Sequence, residues 1–193
     1  MYVLLEGIDT AGKSTQLDIL KEKYNDAIFT KEPGGTELGL KLRDMVLSGE
    51  AKSKVAEMFL FLADRAEHSF EVVKKHPDEI VISDRGFISG MAYSTAPLEI
   101  AFSLNIMALN GAFPDKIILL ELSKEELEKR LSAKKNDSIE SRGVDYLIDI
   151  QNRMKESLVM TQKASERKLD VLIIDGQKSI DEISKEIETF LES

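Results

Sequence analysis

The stretch of the chain with the most specific chemistry is Gly7 to Ser14, which reads Gly-Ile-Asp-Thr-Ala-Gly-Lys-Ser. Its glycines let the backbone curl so that the N–H groups point inward, as a bound phosphate requires. In this pattern Lys13 reaches the β- and γ-phosphates of a nucleoside triphosphate, and the Ser14 hydroxyl ligates Mg²⁺. An apolar run precedes the segment and a helical pattern follows it, so that the helix dipole also favours an anion there. The segment therefore predicts a triphosphate site.

A second pair of chemically useful side chains, Asp84 and Arg85, follows the apolar run Ile80–Ser83. A carboxylate at the end of a buried strand beside a phosphate loop is typical of a residue acting on Mg²⁺ or its waters. The guanidinium of Arg85 can hold a phosphate through two parallel hydrogen bonds. The alternative is an ordinary ion pair at a strand end.

An aromatic residue and an arginine, Phe61 and Arg65, are four residues apart and so share one helix face. A ring beside a guanidinium can stack on a flat base and donate hydrogen bonds to its edge. Taken alone, the pattern favours Phe61 as an ordinary core residue over a base-binding role.

The elements that must position these residues alternate between strands and helices, which predicts an α/β fold with a five-stranded parallel sheet flanked by helices on both faces. The predicted strands are Tyr2–Glu6, Ala27–Thr30, Ile80–Ser83, Lys116–Leu122 and Val171–Ile174. The predicted helices are Thr15–Tyr24, Leu38–Ser48, Lys54–Lys75, Leu98–Asn110, Lys124–Ser132, Val144–Glu166 and Ile180–Leu191. No linker or repeat interrupts the pattern, so one domain is expected.

The composition narrows the function classes. The chain has 193 residues, a net charge of −9 and no cysteine. An acidic chain is unsuited to general nucleic-acid binding, which needs cations against phosphates. No 18-residue apolar stretch and no basic, apolar leader occurs, so we expect no membrane span, no signal peptide and a cytoplasmic location. We expect both histidines, His68 and His76, to lie at the surface.

Two segments allow two interpretations each. The helix predicted around Ile100–Leu109 is apolar on nearly all sides, so it is either a central core helix or a subunit interface. Residues 132–143 are polar and without a strong period, which fits either a solvated loop or a lid that closes over phosphates.

Taken together, these blocks resemble the thymidylate kinase family over nearly the whole chain. The matching blocks are the phosphate loop with Asp9, Lys31 to Thr36 with Leu42 and Arg43, Phe61 to Arg65, Asp84 and Arg85 with Ser89, Ala92 and Tyr93, and Asp137 with Glu140. The Glu-Pro-Gly-Gly-Thr sequence from Glu32 to Thr36 is specific to that family. The resemblance implies a P-loop kinase fold in a single thymidylate kinase-like domain, residues 1–193, with a lid at about 132–143, and a homodimer formed through the 98–110 helix.

The resemblance also implies a reaction, the transfer of the γ-phosphoryl group of ATP to dTMP with Mg²⁺, giving dTDP and ADP. The residues expected on the ATP side are Gly7, Ile8, Asp9, Thr10, Ala11, Gly12, Lys13, Ser14, Thr15, Arg130, Gly176 and Gln177. The expected metal-binding residues are Ser14, Asp9, Asp84 and Glu140.

On the acceptor side, the resemblance implies that Phe61 stacks on thymine while Arg65 binds its edge. Arg43 and Arg85 would hold the acceptor phosphate. The remaining expected dTMP-binding residues are Asp9, near the 3′-hydroxyl, Ser89 and Tyr93, along the nucleoside, and Glu32 with Pro33, whose shared peptide bond is expected to be cis.

The sequence departs from the family pattern at several positions. Family members often carry a catalytic arginine in the phosphate loop or the lid, but here Thr10 and Ser138 stand at those places. Lys134, Lys135 or Arg142 would then supply the missing charge, and spacing does not decide among them. In the acceptor pocket, Gly90 stands where a polar residue is common, and Ser94 where glutamine or serine occurs.

Two other functions remain as alternatives. One is a kinase of a different nucleoside monophosphate, against which the block from Glu32 to Thr36 and the pair Phe61 and Arg65 argue. The other is a nucleotide-dependent switch, or GTPase module, which needs a guanine-reading Asn-Lys-x-Asp sequence. The nearest string, Lys135-Asn136-Asp137, has the wrong order.

Overall fold

Five parallel strands form one sheet at the centre of the computed structural model, which describes residues 1–133, 143–164 and 169–193. The strands are β1 (Tyr2–Gly7), β2 (Ile28–Lys31), β3 (Val81–Asp84), β4 (Lys116–Glu121) and β5 (Asp170–Asp175). Their order across the sheet is β2-β3-β1-β4-β5. The predicted fold class is confirmed, and each strand lies within one or two residues of its predicted bounds.

The central strand β1 explains why the predicted strands are continuous apolar runs. Val3, Leu4 and Leu5 are each fully buried, because helices cover both faces of the sheet. In the register, Leu5 pairs with Asp84 of β3, so β1 and β3 end together at one edge. The phosphate loop and the pair Asp84 and Arg85 are thereby brought side by side.

Eight α-helices surround the sheet in the described part of the chain. They are α1 (Lys13–Lys23), α2 (Glu37–Leu47), α3 (Lys54–His68), α4 (Phe87–Ala92), α5 (Leu98–Leu109), α6 (Lys124–Ala133), α7 (Gly143–Ala164) and α8 (Ile180–Glu192). The sequence predicted that the third helix ends at Lys75. In the structure, α3 ends at His68, and a π-helical turn, Ser69–Val73, follows it. The short helix α4 was not predicted, because six mainly apolar residues show no helical period.

Helix α5 is buried in the core on one side and exposed on another. Ala101, Ala108 and Leu109 are buried in the core of the chain itself. Ile100 and Met107 are 52% and 70% exposed, on a different part of the helix surface. The helix is therefore a core element that also presents apolar side chains outward.

The longest helices carry no transmembrane signal. Among the described residues, no helix is both long enough and apolar enough to cross a membrane. Most of the segment predicted as a lid, residues 134–142, lies outside the described residues, as do residues 165–168.

Candidate active site

The phosphate loop connects β1 to α1. At two of its positions the backbone adopts a conformation that strongly favours glycine. Gly7 and Gly12 have φ values of 148° and 104°, in the region that disfavours other residues. A Cβ on Gly7 would also lie 2.7 Å from the carbonyl oxygen of Leu120. The ammonium of Lys13 donates to the carbonyl oxygens of Gly7 (2.9 Å) and Ile8 (3.1 Å), inside the loop.

The environment of Lys13 lowers the pKa of its side chain. Its side chain is 8% exposed, and this burial, with the nearby charge of Arg85 contributing, lowers its pKa to about 8. A phosphate anion next to the ammonium favours the charged form, so anion binding and protonation of Lys13 reinforce each other.

Three elements meet on the side where ATP is expected. The guanidinium of Arg130, on α6, donates to the carbonyl oxygens of Thr10 (3.0 Å) and Gly176 (2.6 Å). Its Nε donates to Glu126 at 2.8 Å. The structure thus brings Arg130, the phosphate loop and the β5–α8 connection together, while Gln177 is exposed. Ser14 and Thr15, in the first turn of α1, are exposed too.

Arg85 links the phosphate loop to the start of α4. Its Nη1 donates to the Gly7 carbonyl (2.9 Å) and to the Ser89 hydroxyl (3.1 Å), and its Nη2 pairs with Asp9 at 2.6 Å. Its backbone has φ 69°, an uncommon conformation for a residue with a Cβ and one that is found at functional sites. The structure therefore brings three predicted site residues, Asp9, Arg85 and Ser89, together.

Tyr93 and Asp84 flank Arg85. The Arg85 guanidinium lies 5.7 Å from the centre of the Tyr93 ring, and burial raises the pKa of Tyr93 to about 12, so its phenol is neutral at pH 7. The Tyr93 hydroxyl and Oδ1 of Asp84 are buried without a hydrogen-bond partner in the described part of the chain. Both atoms therefore remain able to bind a ligand, a water or an ion.

The loop after β2 carries the predicted acceptor residues Glu32, Pro33 and Arg43. The Glu32–Pro33 peptide bond is cis, which confirms that expectation. Nη1 of Arg43 donates to the Pro33 carbonyl at 3.0 Å. The Gly34 N–H donates to Asp64 on α3 at 2.8 Å, and burial raises the pKa of Asp64 to about 6. Helix α3 thus holds this loop in place.

A buried cluster beneath that loop corrects one expectation. His68, expected at the surface, is fully buried, with Nδ1 2.9 Å from Glu32 and Nε2 2.9 Å from the Thr30 hydroxyl. Glu32 also pairs with Arg65 at 2.7 Å. Burial alone would raise the pKa of Glu32. The contacts with Arg65 and His68 outweigh burial and hold that pKa below its usual value, so Glu32 stays ionised. The prediction for His68 was wrong because a histidine three residues after a buried arginine shares its inward helix face.

Phe61 lies one helical turn before Arg65 on α3. It is half-buried, and it is not one of the partly buried apolar side chains packed against the main core of the described residues. Its face of α3 is shared with Arg65, which is 3% exposed. This placement favours the base-binding interpretation of Phe61 over ordinary core packing.

A family model described as Thymidylate kinase matches residues 5–187. The chain belongs to the thymidylate kinase family. It is 57% identical over 194 residues to a thymidylate kinase of Aliarcobacter butzleri, covering 99% of this chain and 98% of that one. It is 51% identical over 185 residues to a thymidylate kinase of Wolinella succinogenes, covering 91% and 97%. A crystal structure of thymidylate kinase from Ehrlichia chaffeensis shares the fold, with TM-score 0.74, 21% identity and coverage of 99% and 98%.

Four predicted site residues of this thymidylate kinase family member, Lys134, Lys135, Glu140 and Arg142, lie outside the described residues. The candidates for the missing arginine charge, and one candidate metal-binding residue, therefore remain sequence predictions.

One buried residue beside the site, Glu6, was missed by the sequence reasoning. It ends the apolar part of β1, is fully buried, and accepts hydrogen bonds from the backbone N–H (3.2 Å) and the hydroxyl of Ser89. Burial raises the pKa of Glu6. Because Ser89 also accepts from Arg85, Glu6 fixes Ser89 and through it Arg85. The signal was a carboxylate inside a buried strand next to a phosphate loop.

Proposed function

We propose that this member of the thymidylate kinase family transfers the γ-phosphoryl group of ATP to the 5′-phosphate of dTMP, giving dTDP and ADP. The observation that carries the proposal is Arg85, which contacts the donor loop at Gly7 and the acceptor-side residue Ser89 with one guanidinium. A cation at this junction lies where the phosphates of donor and acceptor must meet. The family membership supports the same reaction.

On the donor side, we assign phosphate binding to Lys13 and the amides of its loop. The N-terminus of α1 adds partial positive charge. Arg130 holds the loop through Thr10 and the β5–α8 connection through Gly176, so both walls of the donor site are fixed before ATP arrives. Pre-organisation of this kind reduces the entropic cost of alignment.

On the acceptor side, we assign the dTMP phosphate to Arg43 and Arg85, with Asp9 at the sugar. An acceptor phosphate oxygen is already anionic, so the reaction needs no strong general base. The protein's contribution is to align the two substrates and to neutralise charge on the transferring group. Lys134, Lys135 or Arg142 is proposed to supply a further cation when the lid closes and excludes water.

We also propose that Mg²⁺ binds next to the phosphate loop. Mg²⁺ is usually held by one or two carboxylates, substrate phosphates and waters rather than by a protein cage. Asp84, whose Oδ1 has no partner among the described residues, and the exposed Ser14 hydroxyl fit this donor set. Asp9 and Glu140 are further candidates. When bound, the ion neutralises phosphate charge.

A nucleotide panel tests the proposed function. ATP and GTP are compared as donors, with dTMP, dUMP, AMP and CMP as acceptors, and the kcat/KM of each pair is measured. We expect ATP with dTMP to be preferred. Preference for AMP or CMP would favour a different nucleoside monophosphate kinase, and GTP hydrolysis with no transfer to any acceptor would favour a switch protein.

Replacing Phe61 with alanine tests the base pocket. Loss of stacking and apolar contact is worth roughly 1–3 kcal/mol, or about 5- to 150-fold in affinity. The loss should appear as a higher KM for dTMP, with the KM for ATP little changed. Phe59→Ala is the matched control, since Phe59 is on the same helix and 54% exposed. A raised KM for ATP in the Phe61 variant would place the base pocket elsewhere.

We propose a homodimer formed through the outward apolar side chains of α5, Ile100 and Met107. A glutamate at Met107 would be buried without a partner in such an interface, which is costly. Met107→Glu should therefore shift the protein from about twice the 21.6 kDa chain mass towards the monomer in sedimentation experiments at micromolar concentration.

Ile180→Glu is the control for this experiment. Ile180 is 54% exposed and starts α8, which packs against α1 and β5. It should leave the oligomeric state unchanged. A wild-type protein that sediments as a monomer would show that the exposed face of α5 does not mediate association.

The proposed location is the cytoplasm. The chain has no cysteine, so it does not depend on an oxidising compartment for disulfides. ATP and dTMP are the proposed small-molecule partners.

A further inference from the structure

One polar side chain in the interior of the apolar helix α5 contacts the acceptor site. Asn105 is 3% exposed. Its Nδ2 donates to the carbonyl oxygen of Ala101 at 2.7 Å, and its Oδ1 accepts a hydrogen bond from Nη1 of Arg65. The amide can take only this orientation, because the reverse would set an NH₂ group against a guanidinium, which is a donor as well.

A glycine makes this contact possible. A Cβ on Gly90 would lie 2.5 Å from Nη1 of Arg65 and 2.8 Å from Oδ1 of Asn105. Gly90 lies inside α4 and is not among the glycines with positive φ, so the backbone does not require glycine there. Glycine weakens a helix by about 1 kcal/mol relative to alanine. The space at position 90 is therefore what admits the Arg65 and Asn105 pair.

Three separate elements hold the Arg65 guanidinium. Nη2 donates to the Gly86 carbonyl at 2.9 Å and pairs with Glu32 at 2.7 Å. Both of these contacts are on Nη2, so among the described residues Asn105 is the one that holds the Nη1 side. The Nε of Arg65 is buried with no hydrogen-bond partner among the described residues. Asn105 thus fixes which N–H groups remain for a ligand.

We propose that Asn105 is a positioning residue that sets the acceptor base specificity by holding Arg65 through the space left at Gly90. The inference rests on the proposed function, in which Arg65 binds the edge of the base. Thymine presents a carbonyl acceptor where cytosine presents an amino donor, and a guanidinium can only donate. If the guanidinium is held in place, it cannot move away from the amino group of cytosine, and two donors then face each other. This mismatch disfavours dCMP relative to dTMP.

The experiment compares three single variants of the full-length enzyme. Asn105→Leu keeps the number and branching of the side-chain heavy atoms but removes the acceptor for Nη1, whereas Asn105→Asp keeps an acceptor oxygen. Ser103→Ala is the matched control, because Ser103 lies on the same helix, is exposed and bonds only the Glu99 carbonyl among the contacts described. For each protein, kcat/KM is measured with dTMP and dCMP, together with the KM for ATP.

We expect Asn105→Leu to reduce the dTMP-to-dCMP preference by about tenfold or more, mainly through the KM for dTMP, because a hydrogen bond to a charged group is lost. The KM for ATP should not change. Asn105→Asp should keep most of the preference, and Ser103→Ala all of it. An unchanged preference in a folded Asn105→Leu variant would overturn the proposal, since a merely structural residue would change stability and not selectivity.

A second variant covers the case in which Asn105→Leu does not fold. Gly90→Ala displaces Nη1 of Arg65 from the opposite side and should reduce the same preference, and an unchanged preference there overturns the proposal. A wild-type enzyme without a preference for dTMP over dCMP contradicts the proposed function itself. A wild-type preference that survives in the variants contradicts only the role of Asn105.

Discussion

Replacing Lys13 by alanine is expected to lower kcat for dTMP phosphorylation by about 10³-fold or more, the range seen when a preorganised charge is removed from a phosphoryl or oxyanion site. Lys13 is the cation inside the phosphate loop, and no solvent cation takes its place at a fixed geometry. The measurement is steady-state kinetics with ADP release coupled to a spectroscopic signal.

The variant should fold, which makes the loss of activity interpretable. The two carbonyl oxygens that Lys13 contacts keep other partners: Gly7 accepts from Arg85 at 2.9 Å, and Ile8 accepts from the Ala11 N–H at 3.3 Å. Lys13→Met, which keeps the apolar stem and lacks the charge, should lose as much activity as Lys13→Ala. Activity within tenfold of the wild type in either variant would remove the phosphate loop from the mechanism.

Arg85→Ala should produce the second large effect, a loss of about 10²- to 10³-fold in kcat/KM for dTMP. Its fork contacts the donor loop, Asp9 and Ser89, so both the acceptor phosphate and the loop geometry depend on it. Arg85→Lys keeps the charge but loses the planar fork, and it should recover only part of the activity.

Binding of thymidine, which has no phosphate, separates the role of Arg85 in phosphate binding from a general disturbance of the pocket. Arg85→Ala should weaken dTMP binding in calorimetry while thymidine affinity stays near the wild-type value. Phe61→Ala should weaken both ligands by a similar factor. If Arg85→Ala weakens thymidine as much as dTMP, then Arg85 supports the pocket and does not bind the acceptor phosphate.

The strands and long helices were predictable because their signals are local. Each buried strand is a short apolar run, and each long helix repeats its apolar positions over several turns. Helix α4 offered neither signal, since it has only six residues. The π-helical turn after His68 could not be predicted either, because its residues continue the apolar pattern of an α-helix.

The sequence predicted the residues of the candidate site that lie in contiguous motifs. It did not predict those that only the packing of distant segments brings to the site. Lys13, Asp84 and Arg85 follow the ends of two strands, and the carboxyl ends of parallel strands meet at one edge of a sheet. Glu6, His68 and Asn105 are polar residues within apolar or helical patterns. Their roles depend on what faces them across the fold, which single-chain periodicity does not contain.

The strand order divides the proposed active site into two parts that come from different segments of the chain. The connections after β1, β4 and β5 supply Lys13, Arg130 and Gly176 on the donor side, whereas those after β2 and β3, with α3 and α5, supply the acceptor side. Among the described side chains, we assign Arg85 and Asp9 to both sides. The residues proposed to set base binding, Phe61, Arg65 and Asn105, can therefore be changed towards a new base without altering the residues that bind ATP.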